Sequence, residues 1–236
     1  MRVMVTGSAG RIARLLVPRI RDRFELVLVD RVPASQAVPE HRQVDVCDTG
    51  ALTAAMHGVG AVIHLAGQAA TTASWEDLYG PNIDGVASLF EAARTAGVAK
   101  VIFASTNHVT GMYDREQAWP VSPEQPVRPD SLYGATKAFG EALGRYYADQ
   151  FGLSVICLRI GWVLEKPHNE QARMMWLSPG DLAQLVCAAL SSDVRFGIYY
   201  AVSNNSRRRW KIDNAKQDLG YKPADDSEFY FQDGRT

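Results

Sequence analysis

The sequence predicts an α/β fold: a doubly wound parallel sheet with a small C-terminal part over the carboxyl edge of that sheet. Three observations carry this expectation. Short apolar runs alternate with stretches of helical spacing from the amino terminus to about residue 160, the rhythm of parallel strands joined by crossover helices. The first run leads into a glycine-rich turn, Gly7-Ser8-Ala9-Gly10, that opens a helical pattern. The second run ends in an acid, Asp30, 23 residues after Gly7, which is where a dinucleotide fold places a carboxylate for the ribose hydroxyls.

Taken in order, Val3–Thr6 is a buried strand and Ile12, Leu15, Leu16 and Ile20 mark the helix after it. Gly7 suits a tight turn, Gly10 lets backbone approach a phosphate, and Ala13 is small enough for close helix–strand packing. The residues Gly7, Ser8, Ala9, Gly10, Arg11 and Ile12 therefore offer N–H groups and a positive helix end to a pyrophosphate; a plain βα turn also favours glycine. Glu25–Asp30 is the second strand. Asp30 repels a 2′-phosphate, which points to NAD over NADP, although Arg31 beside it has the opposite charge. Gln43–Val46 reads as the third strand, with Asp45 and Val46 along an adenine edge or Asp45 simply structural, and Asp48 as a cap. Ala51–Met56 is helical. Ala61–Leu65 is the fourth strand, and its small closing residues, with Leu65, Ala66 and Gly67, admit either a cofactor or a tight turn.

A helix over Tyr79–Thr95 follows, then a fifth strand, Lys100–Ala104, running into Ser105-Thr106-Asn107-His108. Polar residues at the carboxyl end of a strand in an open α/β sheet stand at the ligand crevice. The stretch Tyr113–Asp130 holds four of the 11 prolines and reads as a long binding or lid loop. A long helix over Ser131–Phe151 and a sixth strand, Ser154–Arg159, complete the regular pattern. Beyond Gly161 the rhythm breaks, with a helix at Ser178–Leu190, a strand at Gly197–Val202 and a helical piece after Arg207. The division expected is 1–160 for nucleotide binding and 161–236 for the substrate side.

Composition narrows the function. Charge is nearly balanced, 25 Lys+Arg against 26 Asp+Glu, so nothing calls for nucleic acid or an anionic membrane. No apolar run reaches the length of a bilayer span. Cys47, Cys157 and Cys187 show no metal-ligand spacing, and an odd number argues against a disulfide framework. No metal is expected, and a reducing cytoplasm fits. The amino terminus enters the first strand directly, without a leader pattern.

The chemistry centres on Ser131-Leu132-Tyr133-Gly134-Ala135-Thr136-Lys137. Tyr133 and Lys137 at i and i+4 share one helix face. A phenol near pKa 10 is a weak base at neutral pH, and a nearby ammonium favours its phenolate. The pair therefore suits a general base that takes a proton from a substrate hydroxyl; the same spacing occurs in an ordinary amphipathic helix.

Together the glycine-rich turn, Asp30, Asp45-Val46, His64-Leu65-Ala66-Gly67, Asn82, Thr106, Tyr133 with Lys137, and Leu219-Gly220-Tyr221-Lys222-Pro223 resemble the extended short-chain dehydrogenase/reductase family, the NAD-dependent epimerase/dehydratase type. Phe103–His108, Arg128–Gly134 and Arg159-Ile160-Gly161 are most similar to its uronate dehydrogenase branch, with Arg173-Met174 and Trp176-Leu177-Ser178 a looser match. The resemblance implies a Rossmann-type sheet, NAD as cofactor, and a homodimer or higher homo-oligomer. It implies Thr106, Tyr133 and Lys137 as the catalytic set, with Lys137 also on the nicotinamide ribose. Ile160 joins the cofactor site by the same analogy. Asn107 and His108 would reach further substrate oxygens, and Arg173 would clamp a substrate carboxylate. The implied reaction is oxidation of a small sugar, a hexuronate at C1, to an aldarolactone. A nucleotide-sugar epimerase or dehydratase and a catalytically silent NAD-binding regulator are the alternatives. The chain departs from the pattern at Ala13, at Thr106 for serine, in its short tail, and at Trp162, which enlarges a position near the substrate where the branch carries a small serine.

Overall fold

Strands that are apolar on both sides must be covered on both sides, and the chain arranges its helices accordingly. The computed structural model describes residues 1–33 and 40–231. In chain order the elements are β1 (Arg2–Thr6), α1 (Arg11–Ile20), β2 (Glu25–Asp30), β3 (His41–Gln43), α2 (Thr49–Ala55), β4 (Ala61–His64), α3 (Trp75–Tyr79), α4 (Gly85–Thr95), β5 (Lys100–Thr106), α5 (Gly111–Arg115), α6 (Leu132–Phe151), β6 (Ser154–Ile160), β7 (Trp162–Val163), α7 (Glu170–Met175), β8 (Trp176–Leu177), α8 (Pro179–Ser191), β9 (Phe196–Ala201) and α9 (Asp213–Leu219). Among the described residues the main sheet has the order β3-β2-β1-β4-β5-β6-β9, every pair parallel.

Period-two alternation sends Val3 and Val5 to one face and Met4 to the other. On the first face α1 and α8 pack together, burying Leu16, Ile20, Leu182 and Val186. On the second, α2, α4 and α6 bury Leu52, Leu89, Phe90 and Tyr147. The chain winds outward from β1 to β3 and then crosses back to β4 on the other side of β1. That reversal opens a crevice at the carboxyl ends of β1 and β4.

The largest shifts from the expected boundaries fall at two places. The third strand is His41–Gln43, three residues or so ahead of the apolar Val44–Val46 run. Val44 still donates to the Asp30 carbonyl (2.9 Å), but Asp45 then accepts from its neighbour Cys47 N (2.9 Å) and turns the chain out of the sheet. The helix expected over Tyr79–Thr95 begins earlier, at Trp75, with Ser74 as its cap. It widens to a π-helical turn at Gly80–Asp84 before α4, where Pro81 has no N–H to donate to the regular ladder.

Residues beyond 160 do two things. β9 joins the main sheet beside β6, and α8 covers it. β7 and β8 form a separate parallel pair, Trp162 opposite Trp176, that brackets α7. Among the described residues no helix is long and apolar enough to cross a membrane.

Candidate active site

The first half of the crevice is built by the turn after β1. Gly7 has φ +68°, and a Cβ there would stand 2.6 Å from the backbone nitrogen of Ala66. Only glycine satisfies both the left-handed backbone and this approach. Gly10 donates to the Gly7 carbonyl (2.9 Å) and caps α1 without a side-chain bond, so the first-turn N–H groups face the crevice. Asp30 holds the turn in place: its carboxylate accepts from Ala9 N (2.9 Å) and Val32 N (3.2 Å). A cleft of about 680 Å³ passes over Gly7, Ala9 and Gly10, between Asp30 and the residues Val44, Asp45 and Val46, to Leu65, Ala66 and Gly67. Ser8 donates to the Val29 carbonyl (3.2 Å) and contributes backbone to the turn.

A second cleft of about 440 Å³ shares Leu65, Gly67 and Gln68 with the first. Arg11, Ile12, Thr106, Asn107, His108, Tyr133, Lys137 and Ile160 line it. Two continuous clefts, one beside an acid and the other beside a tyrosine–lysine face, match the two halves of a dinucleotide with substrate next to the second.

Helix α6 positions the reactive face. Ser131 caps it by accepting from Gly134 N (3.1 Å), fixing the helix start two residues before Tyr133. A Cβ at position 134 would fall 2.4 Å from the His108 carbonyl oxygen, so Gly134 lets α6 press against the end of β5. Tyr133 (8% exposed) and Lys137 (4%) are thereby buried beside Thr106 (4%). Burial raises the Tyr133 pKa, opposed by the Thr106 hydroxyl; burial lowers that of Lys137 to about 8. The protein alone therefore leaves the phenol protonated, and the depression expected from Lys137 does not overcome desolvation. The Lys137 ammonium lies 4.9 Å from the Phe103 ring centroid. Below it His64 is fully buried, bonded to Thr6 (2.8 Å) and pushed down to about 3 by burial and by the Lys137 charge, so it stays neutral.

For several supporting residues the sequence alone indicates no role. Asp130 binds His108 Nδ1 through both carboxylate oxygens (2.9 and 3.0 Å) and accepts from Ser131 (3.1 Å). Burial acts to raise its pKa, but the bonds from His108 and Ser131 and the charge of Arg115 leave it lowered. Glu141 continues the Tyr133, Lys137 spacing by one more turn. It accepts Arg159 in a fork (2.9 and 2.8 Å) and Ser105 (2.5 Å), all buried. The i+8 position was the available signal. Asn82, placed by the π-helical turn, accepts from Gln68 N (2.8 Å) and donates to Thr136 (3.0 Å), tying the loop after β4 to α6.

Arg173 stands apart. Gln171 and Met175 of α7 line the second cleft, and Arg173 does not. Two residues along a helix is about 200°, so the guanidinium points to the opposite side. There it forks onto Glu228 (both contacts 2.5 Å), bonds Glu170 (2.9 Å) and covers the Phe231 ring. The expected carboxylate clamp is thus not assembled with Thr106, Asn107, His108 and Tyr133. Among the described residues no group of three His, Cys, Asp or Glu is placed to hold a metal ion.

A profile of the NAD dependent epimerase/dehydratase family matches residues 3–175. The NAD-dependent glucose-6-phosphate dehydrogenase of Haloferax volcanii is 37% identical over 98% of this chain and 96% of its own. The uronate dehydrogenase of Pseudomonas putida is 36% identical over 97% and 86%. In structure, a variant of uronate dehydrogenase from Agrobacterium tumefaciens complexed with NAD superposes with a TM-score of 0.91, at 32% identity, over 98% of this chain and 87% of the other.

Proposed function

The chain belongs to the NAD-dependent epimerase/dehydratase family, and from that premise we propose that it is an NAD-dependent dehydrogenase that oxidises the anomeric carbon of a small sugar. The observation that carries this reading is the convergence of Thr106, Tyr133 and Lys137 on a cleft continuous with the dinucleotide cradle. The uronate and glucose-6-phosphate dehydrogenases among the relatives support it. The expected hexuronate, giving an aldarolactone, is one member of this substrate class. The second cleft, about 440 Å³ for the nicotinamide end and the substrate together, favours a monosaccharide over a nucleotide-sugar.

The residues fit the cofactor. The Gly7–Gly10 turn and the α1 N-terminus would take the pyrophosphate, Asp30 the adenosine ribose, Asp45 and Val46 the adenine, and Lys137 the nicotinamide ribose. Bound NAD supplies an acceptor for the hydride that leaves C1. Thr106 holds the C1 hydroxyl, and Tyr133 removes its proton as the C1–O bond becomes a carbonyl. Lys137, charged at neutral pH, and Thr106 favour the phenolate against the burial that opposes it. Asp130 orients His108 toward a further substrate oxygen.

The exposed aromatic residues Tyr79, Tyr146 and Phe151 support a homodimer across the helical stretches 79–95 and 131–151. A monomer by light scattering at micromolar concentration would refute that assembly. A reducing cytoplasm is the proposed compartment, in keeping with three unpaired cysteines. The test of the reaction is NADH formation across hexuronates, aldoses and nucleotide-sugars. Release of NADH only with nucleotide-sugars, or with none, overturns the reading.

A further inference from the structure

The substrate end of the second cleft has a chemistry of its own. Its outer wall is made by Trp162 and Val163 of β7 and by Gln171 and Met175 of α7. None of these carries a charge. The β7–β8 pairing, Trp162 opposite Trp176, fixes the wall; Gly161 N donates to the Ala201 carbonyl of β9 (3.0 Å), and Ser203 N, just beyond β9, donates to the Trp176 carbonyl (2.9 Å). The Trp162 ring is held by His168 packed edge-on at 5.2 Å. On the facing side, Gln68, Thr71 and Thr72 line the cleft with amide and hydroxyl groups.

Among the described residues, the cations that line this cleft are Arg11, His108 and Lys137, and none of them belongs to the Trp162 wall. Lys137 lies buried on α6 at the catalytic end. His108 is matched by Asp130. Arg11 lines the cleft from the first residue of α1, beside the glycine turn. Arg173 is neutralised by Glu228 and Glu170 on the far side of α7. A carboxylate lying against the Trp162 wall would lose water and gain no cation from that wall, which is unfavourable. A neutral sugar presents a C–H face to an aromatic ring and hydroxyls to amides, the mixture this wall offers.

We infer that the enzyme selects neutral aldoses over the corresponding hexuronates, with Gln171 as the side chain that reads the substituent at the far end of the sugar ring and the Arg173–Glu228 pair as a strut that supports α7 from outside. This rests on the sugar dehydrogenase reading and narrows its substrate class. Gln171 is exposed at the mouth of the cleft, so it can be replaced without disturbing the core.

The experiment compares kcat/KM with NAD for galactose, glucose, galacturonate and glucuronate in the wild type, Gln171→Arg and Arg173→Met. The wild type should prefer the aldoses. Gln171→Arg should move the uronate/aldose ratio toward the uronates by about ten- to a hundredfold, the worth of a charge-assisted bond. Arg173→Met should leave the ratio within about twofold even where heat or urea stability falls. Calorimetric titration of the same four sugars into NAD-saturated Tyr133→Phe protein ranks binding without turnover. A wild type that turns over and binds uronates better than aldoses, with that preference lost in Arg173→Met, overturns the inference while leaving the dehydrogenase intact. No NADH from any sugar overturns the dehydrogenase reading, and the binding order then decides the selectivity by itself.

Discussion

Replacing Lys137 by methionine should destroy activity and strengthen the fold. The ammonium is 4% exposed, and burial lowers its pKa from 10.5 to about 8. At 1.36 kcal/mol per pKa unit, that fall means the folded protein carries a penalty of about 3 kcal/mol whenever the lysine is charged. The Phe103 ring lies 4.9 Å from the nitrogen, so the charge sits against an aromatic face and not in water. Methionine keeps the length and tolerates the ring, so the variant should be more stable at pH 7 by up to about 3 kcal/mol, or about 6–12 °C in Tm for a chain of this size. The dependence on pH separates this cause from better packing. Below pH 8 the lysine is charged in both folded and unfolded chains and the penalty is whole. Between about 8 and 10.5 only the unfolded chain keeps the proton, so wild-type stability rises with pH. By pH 9.5 the difference should shrink by about 2 kcal/mol, to about a third of its value at pH 7. Urea unfolding of both proteins at pH 7 and 9.5, with NADH turnover alongside, measures it. A variant less stable than wild type at pH 7, or an advantage that does not change with pH, refutes the reasoning.

Three further outcomes follow from the geometry. Tyr133→Phe removes only the phenolic oxygen, so turnover should fall by about 10²–10⁴-fold with NAD affinity unchanged; a matching loss of NAD affinity in a direct titration would count against a proton-transfer role. Asp30→Ala should relax the preference for NAD over NADP, and because Asp30 also holds Ala9 N at 2.9 Å, KM for both cofactors should rise; equal use of the two by the wild type would remove the premise. Glu141→Ala strands Arg159, which is 1% exposed, and should cost about 3–5 kcal/mol in urea unfolding, whereas Glu141→Leu with Arg159→Met should recover most of it; a single-variant loss under about 1 kcal/mol would show that the pair is not buried as described.

The order of strands and the dinucleotide cradle were legible because each rests on local signals. Apolar runs mark the strands, Gly7 answers a backbone requirement, and Asp30 ends β2 where expected. The third strand was misplaced because Val44–Val46 looks like a strand in composition. Its pairing partner, β2, is three residues out of step with that run, and register is a long-range property. Arg173 illustrates a different limit. Residue type and neighbours suggested a clamp, but α7 places Gln171 and Met175 on the cleft side, and Glu228, 55 residues on, decides what the guanidinium meets. The His108–Asp130 bond and the Ser105–Glu141–Arg159 cluster likewise join residues distant in sequence, which spacing within one helix only hinted at.

The position of β9 also bears on how the protein is made. Synthesis proceeds from the amino terminus, and the strand that closes the sheet beside β6 is residues 196–201. Until it emerges, a nascent chain that has already assembled β1 to β6 presents β6 as a bare edge, with Val155, Ile156, Cys157 and Leu158 among its residues. Unpaired apolar edges of this kind recruit other chains. The interval between translation of β6 and β9 is therefore the window in which chaperone binding or aggregation is decided. A stop codon ahead of residue 196 should yield insoluble product, even though the glycine turn, Tyr133 and Lys137 would all be present.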